Sequence, residues 1–151
     1  MALAEHLVTT HGFAHLCLAS RRGSADAAMT GRVEALRKRA EVEWVAADLS
    51  DPVALSSLLQ PTPAAVFLTA GVLADGMLEK LDSQMLHRVM KPKVDAAVYL
   101  LDMLPPEVQV LLYSSAAGVL GGAGQANYAA ANVFLDALAA NARALGRPIM
   151  A

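Results

Sequence analysis

The sequence predicts an α/β fold, a Rossmann-like, doubly wound parallel sheet with helices packed against it. Two observations carry this. Short apolar runs bounded by polar turns alternate with helix-forming stretches along the chain, the order that parallel strands with helical crossovers require. The apolar runs also end in small or polar residues: Ser20, Asp48, Ala70 with Gly71, and Ser114 with Ser115. In open parallel sheets ligands bind at the carboxyl ends of the strands, so these ends are expected to line one crevice. The 151 residues suit one domain, and no repeat or low-complexity linker divides them.

The elements follow in order. A short helix pattern runs over residues 4–10. HLCLAS, residues 15–20, reads as a buried strand closed by the polar turn SRRG, with Cys17 as a small core residue. A polar helix is expected from Asp26 to Ala40, then a strand over residues 42–47. Ser50 or Asp51 caps a short helix through Leu59, with Pro52 in its first turn. PTP breaks the chain before a third strand, residues 64–71. A long helix pattern covers residues 83–104, opened by LDSQ and stopped by Pro105 and Pro106. VQVLLYSS is a fourth strand. An alanine-rich helix spans residues 125–145, with Gly146 at the position just past its end. RPIMA resembles the start of a further strand.

Composition narrows the class. Hydrophobic residues make up 56% of the chain, yet no apolar run reaches the ~18 residues that a membrane span needs. The N-terminus lacks the basic and apolar regions of a signal peptide. A formal net charge of −2 argues against nucleic acid as the main partner. A single cysteine permits no internal disulfide and points to a reducing, cytoplasmic setting. No metal site is predicted.

The stretch SSAAGVLGGAGQANYAAAN, residues 114–132, carries the chemistry. Tyr128 and Asn132 are four apart on one helix and share a face. Ser115 leaves the preceding strand, and the glycine loop lets the chain fold back so that Ser115 can face Tyr128. A phenol titrates near pH 10. A neighbouring ammonium lowers that value and improves the phenol as a proton donor to a developing alkoxide. Lys93, in MKPKVDAA, is positioned to supply the charge. On spacing alone the same residues also suit a turn serine, a half-buried core tyrosine and a solvated lysine. Gly122-Ala-Gly124 offers only part of a dinucleotide fingerprint, since Ala126 or Asn127 stands where a third glycine is needed. It reads better as the flexible loop between Ser115 and Tyr128.

HLCLASRRG, VAADLSD, TAGVLADGML, MKPKVDAAVYLL and LLYSSAAGVLGGAGQANYAAANVFLDALA together resemble the ketoreductase domain of modular polyketide synthases and animal-type fatty acid synthases. That domain is a branch of the short-chain dehydrogenase/reductase superfamily. The resemblance covers almost the whole chain. It implies an NADPH-dependent reduction of a 3-ketoacyl thioester, carried on the phosphopantetheine of an acyl carrier protein, to the 3-hydroxyacyl thioester. Tyr128 would donate the proton, Ser115 would bind the carbonyl, and Lys93 and Asn132 would complete the tetrad. For NADPH the resemblance implies Arg21 at the 2′-phosphate, whose geometry an arginine fork suits. It further implies Asp48 at the adenine, with Ser20, Leu49, Ala70 and Gly71 as the other cofactor residues. The family's B-type members carry Leu-Asp-Asp where this chain has Leu73-Ala74-Asp75, and A-type members carry tryptophan at the position of Leu120. Asp75 and Gln125 are therefore the stereochemistry-associated residues, and a D-configured hydroxyl is implied. A free-standing reductase would place its lysine where this chain has Asn132.

Family members begin with a strand and a glycine-rich turn ahead of the first helix, and continue into further strands and a lid. Residues 1–151 are accordingly expected to be part of a ketoreductase catalytic subdomain with a truncated sheet, working beside the other domains of a larger synthase. Loss of a central strand would leave two half-sheets, and each buried unpaired backbone group costs about 1–3 kcal/mol. The alternative is an inactive piece that binds other chains through open strand edges.

Overall fold

The computed structural model describes residues 1–23 and 27–151. The chain divides into two compact units, Met1–Asp48 and Leu49–Ala151.

The first unit holds helix α1 (Ala2–His11), strand β1 (His15–Ser20), helix α2 (Ala27–Arg37) and strand β2 (Glu41–Ala46). β1 and β2 pair in parallel, with His15 opposite Glu41 and Ser20 opposite Ala46. Gly12, at φ +67, ends α1 in the left-handed conformation that favours glycine. Ala4 and Val8 of α1 and Val33 and Leu36 of α2 form a core with Val42, and Leu16, Leu18 and Trp44 pack against it. Both helices thus cover one face of the pair. His15 and Cys17 alternate onto the other face, so Cys17 is exposed rather than the core residue expected. The expected start of the second helix, Asp26, lies outside the described residues.

The second unit contains helix α3 (Pro52–Leu58), strand β3 (Ala65–Leu68), a 3₁₀ turn (Leu78–Lys80) and helix α4 (Ser83–Met90). A π-helical turn (Lys91–Asp95) follows, then helix α5 (Ala96–Met103), strand β4 (Gln109–Leu112), helices α6 (Ala117–Leu120) and α7 (Ala126–Ala144), and strand β5 (Ile149–Met150). The three strands are parallel in the order β3-β4-β5. The described strands therefore form two parallel sheets of two and three strands. Asp51 caps α3 by accepting the N–H of Val53 at 2.9 Å, and Asp82 caps α4 through the N–H of Met85 at 2.7 Å. Leu68, Leu100, Leu112 and Leu135 are the largest side chains at the centre of the core. Gly146, at φ +84, follows α7 as expected.

The long helix expected over residues 83–104 is interrupted by the π turn. Pro92 explains this, because its ring clashes with the carbonyl four residues back and it has no N–H to donate. The expected glycine loop contains the one-turn helix α6, and residues 69–71 of the expected third strand lie beyond its hydrogen-bonded part.

Candidate active site

Four of the predicted site residues lie in the second unit on adjoining elements: Lys93 on the π turn, Ser115 after β4, and Tyr128 and Asn132 on α7. Lys93 is 3% exposed, an unusual position for an ammonium. Its Nζ donates to the Tyr113 carbonyl at 2.7 Å and lies 5.5 Å from the centroid of the Tyr128 ring, within reach of a cation–π attraction. Burial lowers the Lys93 pKa, and the negative charge of Asp136 opposes that shift. Gly71 leaves room for the lysine stem: a Cβ built there would lie 3.3 Å from Lys93 Cε.

Ser115 Oγ accepts the N–H of Ala117 at 3.2 Å, which leaves its hydroxyl hydrogen to donate elsewhere. Ser115 and Tyr128 make no hydrogen bond to each other among the described residues. Asn132 is fully buried, and its Nδ2 donates to the Tyr128 carbonyl at 2.8 Å. Asn132 Oδ1 is buried without a protein partner. A buried acceptor left unmatched is an opening for a donor from outside the chain. Ser114 Oγ donates to the Asn132 carbonyl at 3.3 Å, tying the end of β4 to α7.

Asp75 and Gln125 form a pair, Gln125 Nε2 donating to Asp75 Oδ2 at 2.9 Å. Asn127, which the sequence reading passed over, is 3% exposed and bonds the Ala74 carbonyl at 2.8 Å. Its signal was faint, one of several amides in an alanine-rich helix start. An open depression of about 470 Å³ is lined by Tyr113, Ser114, Ser115, Val119 and Asp136 among others, and neither Lys93 nor Tyr128 lines it.

The remaining predicted residues are placed unit by unit. In the first, Ser20 Oγ accepts the N–H of Gly23 at 3.0 Å, closing the turn after β1, and Arg21 and Asp48 are exposed. In the second, Leu49 and Ala70 pack against the core.

The second unit thus combines a parallel α/β fold with a buried lysine beside a tyrosine, and a serine and an asparagine on neighbouring elements. A short-chain dehydrogenase/reductase from Vibrio parahaemolyticus has this fold, with a TM-score of 0.77 at 20% identity over 98% of this chain and 67% of that one. The KR domain family model matches residues 1–151, and the chain belongs to that family. The chain is similar to the spectinabilin polyketide synthase system protein NorB of Streptomyces orinoci, 45% identical over 99% of this chain and 7% of that protein. It thus spans a small part of such a relative. It also resembles the PlmKR1 ketoreductase from the first module of phoslactomycin biosynthesis in Streptomyces sp. HK803. The TM-score is 0.91 at 34% identity, over 97% of this chain and 36% of that one.

Proposed function

We propose that residues 1–151 are part of a ketoreductase catalytic subdomain that reduces a 3-ketoacyl thioester on an acyl carrier protein to the 3-hydroxyacyl thioester. The observation that carries this is the buried Lys93 ammonium beside the Tyr128 ring. Burying a cation costs several kcal/mol even when partnered, a cost easier to understand at a working site than in a structural core. Membership of the KR domain family points the same way.

The ketone oxygen gains negative charge during reduction. The Tyr128 hydroxyl donates its proton to that oxygen, and the Ser115 hydroxyl donates a hydrogen bond to it. The Lys93 ammonium stabilises the phenolate left behind. Asn132 holds the Tyr128 carbonyl and offers Oδ1 to a donor in the site.

NADPH, when bound, supplies the hydride to the carbonyl carbon. The donor types suit it: in the first unit, the exposed Arg21 would meet its 2′-phosphate and Asp48 its adenine, with Ser20 a further candidate contact. In the second, Ala70 and Gly71 would let its ribose side approach closely, with Leu49 a further candidate contact. Asp75, retained where Ala74 replaces the first aspartate, and Leu120 favour B-type stereochemistry, giving the D-configured hydroxyl; Gln125, paired with Asp75, is associated with the same choice.

The test follows NADPH consumption with a small 3-ketoacyl thioester, using the natural polypeptide that carries this sequence. Turnover is expected, with a fall of about 10²–10⁴-fold in Tyr128→Phe and D-hydroxyl product by chiral chromatography. No ketone reduction by the wild-type protein would remove this reading.

A second reading, a non-catalytic interaction piece, draws on the two-stranded β1-β2 sheet, whose outer edges pair with no further strand among the described residues. It predicts self-association or partner capture on size-exclusion chromatography; a purely monomeric chain would remove it.

A further inference from the structure

The loop at residues 74–76 is joined to the start of α7 at three points. Gly76 N–H donates to the Gly124 carbonyl at 2.8 Å. Gln125 donates to Asp75 at 2.9 Å. Asn127 Nδ2 donates to the Ala74 carbonyl at 2.8 Å. Of the side chains that make these bonds, only Asn127 is buried.

Its other end faces the tyrosine. Asn127 Oδ1 accepts the Tyr128 N–H at 2.8 Å. That N–H belongs to the first turn of α7, where no carbonyl of the helix itself is available, and Gln125 provides no side-chain cap. Four residues on, Asn132 Nδ2 donates to the Tyr128 carbonyl. The peptide groups on both sides of the Tyr128 Cα are thus held by asparagine amides, one of which also grips a loop 53 residues away in sequence. Only a side chain with both a donor and an acceptor can do what Asn127 does. Aspartate lacks the donor and alanine lacks both.

We infer that Asn127 is a positioning residue for Tyr128: it pins the tyrosine's N–H and moors the first turn of α7 to the loop that carries Asp75. The inference rests on the reductase reading for its effect on rate, but the clamp itself can be tested apart from it. In a reaction set by a proton donor's placement, small displacements are expensive in rate.

Asn127→Ala and Asn127→Asp would be compared in the natural polypeptide by turnover, NADPH affinity and product configuration. Amide hydrogen exchange would be read on the same polypeptide. Asn127→Ala should lower kcat about tenfold or more, with NADPH affinity within about twofold because Tyr128 and Lys93 are still present. It should also erode the preference for one hydroxyl configuration. Asn127→Asp, which keeps the acceptor for Tyr128, should recover part of kcat but not the loop anchor. In the wild-type chain the Tyr128 amide should exchange more slowly than the other amides of the first turn of α7.

An Asn127→Ala protein that melts lower but keeps kcat and product configuration would overturn the inference. So would a Tyr128 amide that exchanges freely in the wild type, a result obtainable even if every variant fails to fold. Absence of turnover in the wild type would count against the reductase reading, leaving the exchange result to decide the clamp.

Discussion

Lys93 gives up hydration to sit beside Tyr128, and its lowered pKa records that loss. A lysine whose folded value lies below its unfolded one binds fewer protons folded than unfolded. Its contribution to stability is therefore complete above the unfolded value and is lost as pH falls through the folded one. Lys93→Met should abolish turnover, and because it also gives up the bond to the Tyr113 carbonyl, the linkage predicts only the trend: its stability relative to the wild type should fall as pH rises toward lysine's ordinary range. Thermal denaturation across pH checks this; a difference between the two proteins that does not change with pH would refute it. Ser115, Tyr128 and Asn132 could be picked out in the sequence because strand-end position and an i, i+4 spacing are local properties. Lys93 was reached from the chemistry, as the ammonium a phenol donor needs, and spacing alone does not place it beside Tyr128, since the two lie on different elements. Asn127 escaped, because its partner Ala74 lies far along the chain and no periodicity links the two.

Among the elements, the strands were the easiest to foresee. HLCLAS and VQVLL are short apolar runs of strand length bounded by turns, and β1 begins and ends where the pattern does. The π turn was hidden, since a proline in a helical pattern signals disruption without saying which kind. α6 was hidden because AGVL, next to glycines, resembles loop. The end of α5 shows a long-range cap of the sort that patterning misses. The Arg147 guanidinium donates to the carbonyls of Leu101 and Leu104, the latter bond at 2.7 Å, where a helix has unpaired acceptors and favours positive charge. Arg147→Met keeps the apolar stem and drops the donors. It should cost about 1–3 kcal/mol in urea unfolding. A loss near zero would mean that water satisfies those carbonyls equally well.

At the scale of the whole molecule, the division into Met1–Asp48 and Leu49–Ala151 matters most. Among the described residues the first unit buries five side chains in its core, and the second fourteen. Since apolar burial is the main favourable term in folding, amide exchange should show lower protection in residues 1–48 than in 49–151. Equal protection throughout would mean that the chain opens as one cooperative body. Trp44, the chain's only tryptophan, packs against the smaller core. Its fluorescence therefore speaks for the first 48 residues, while far-ultraviolet dichroism is weighted toward the second unit and its 19-residue α7. The protein carries an optical reporter for one of its halves without any label. A red shift of the indole emission ahead of the loss of ellipticity would show the two units letting go in turn.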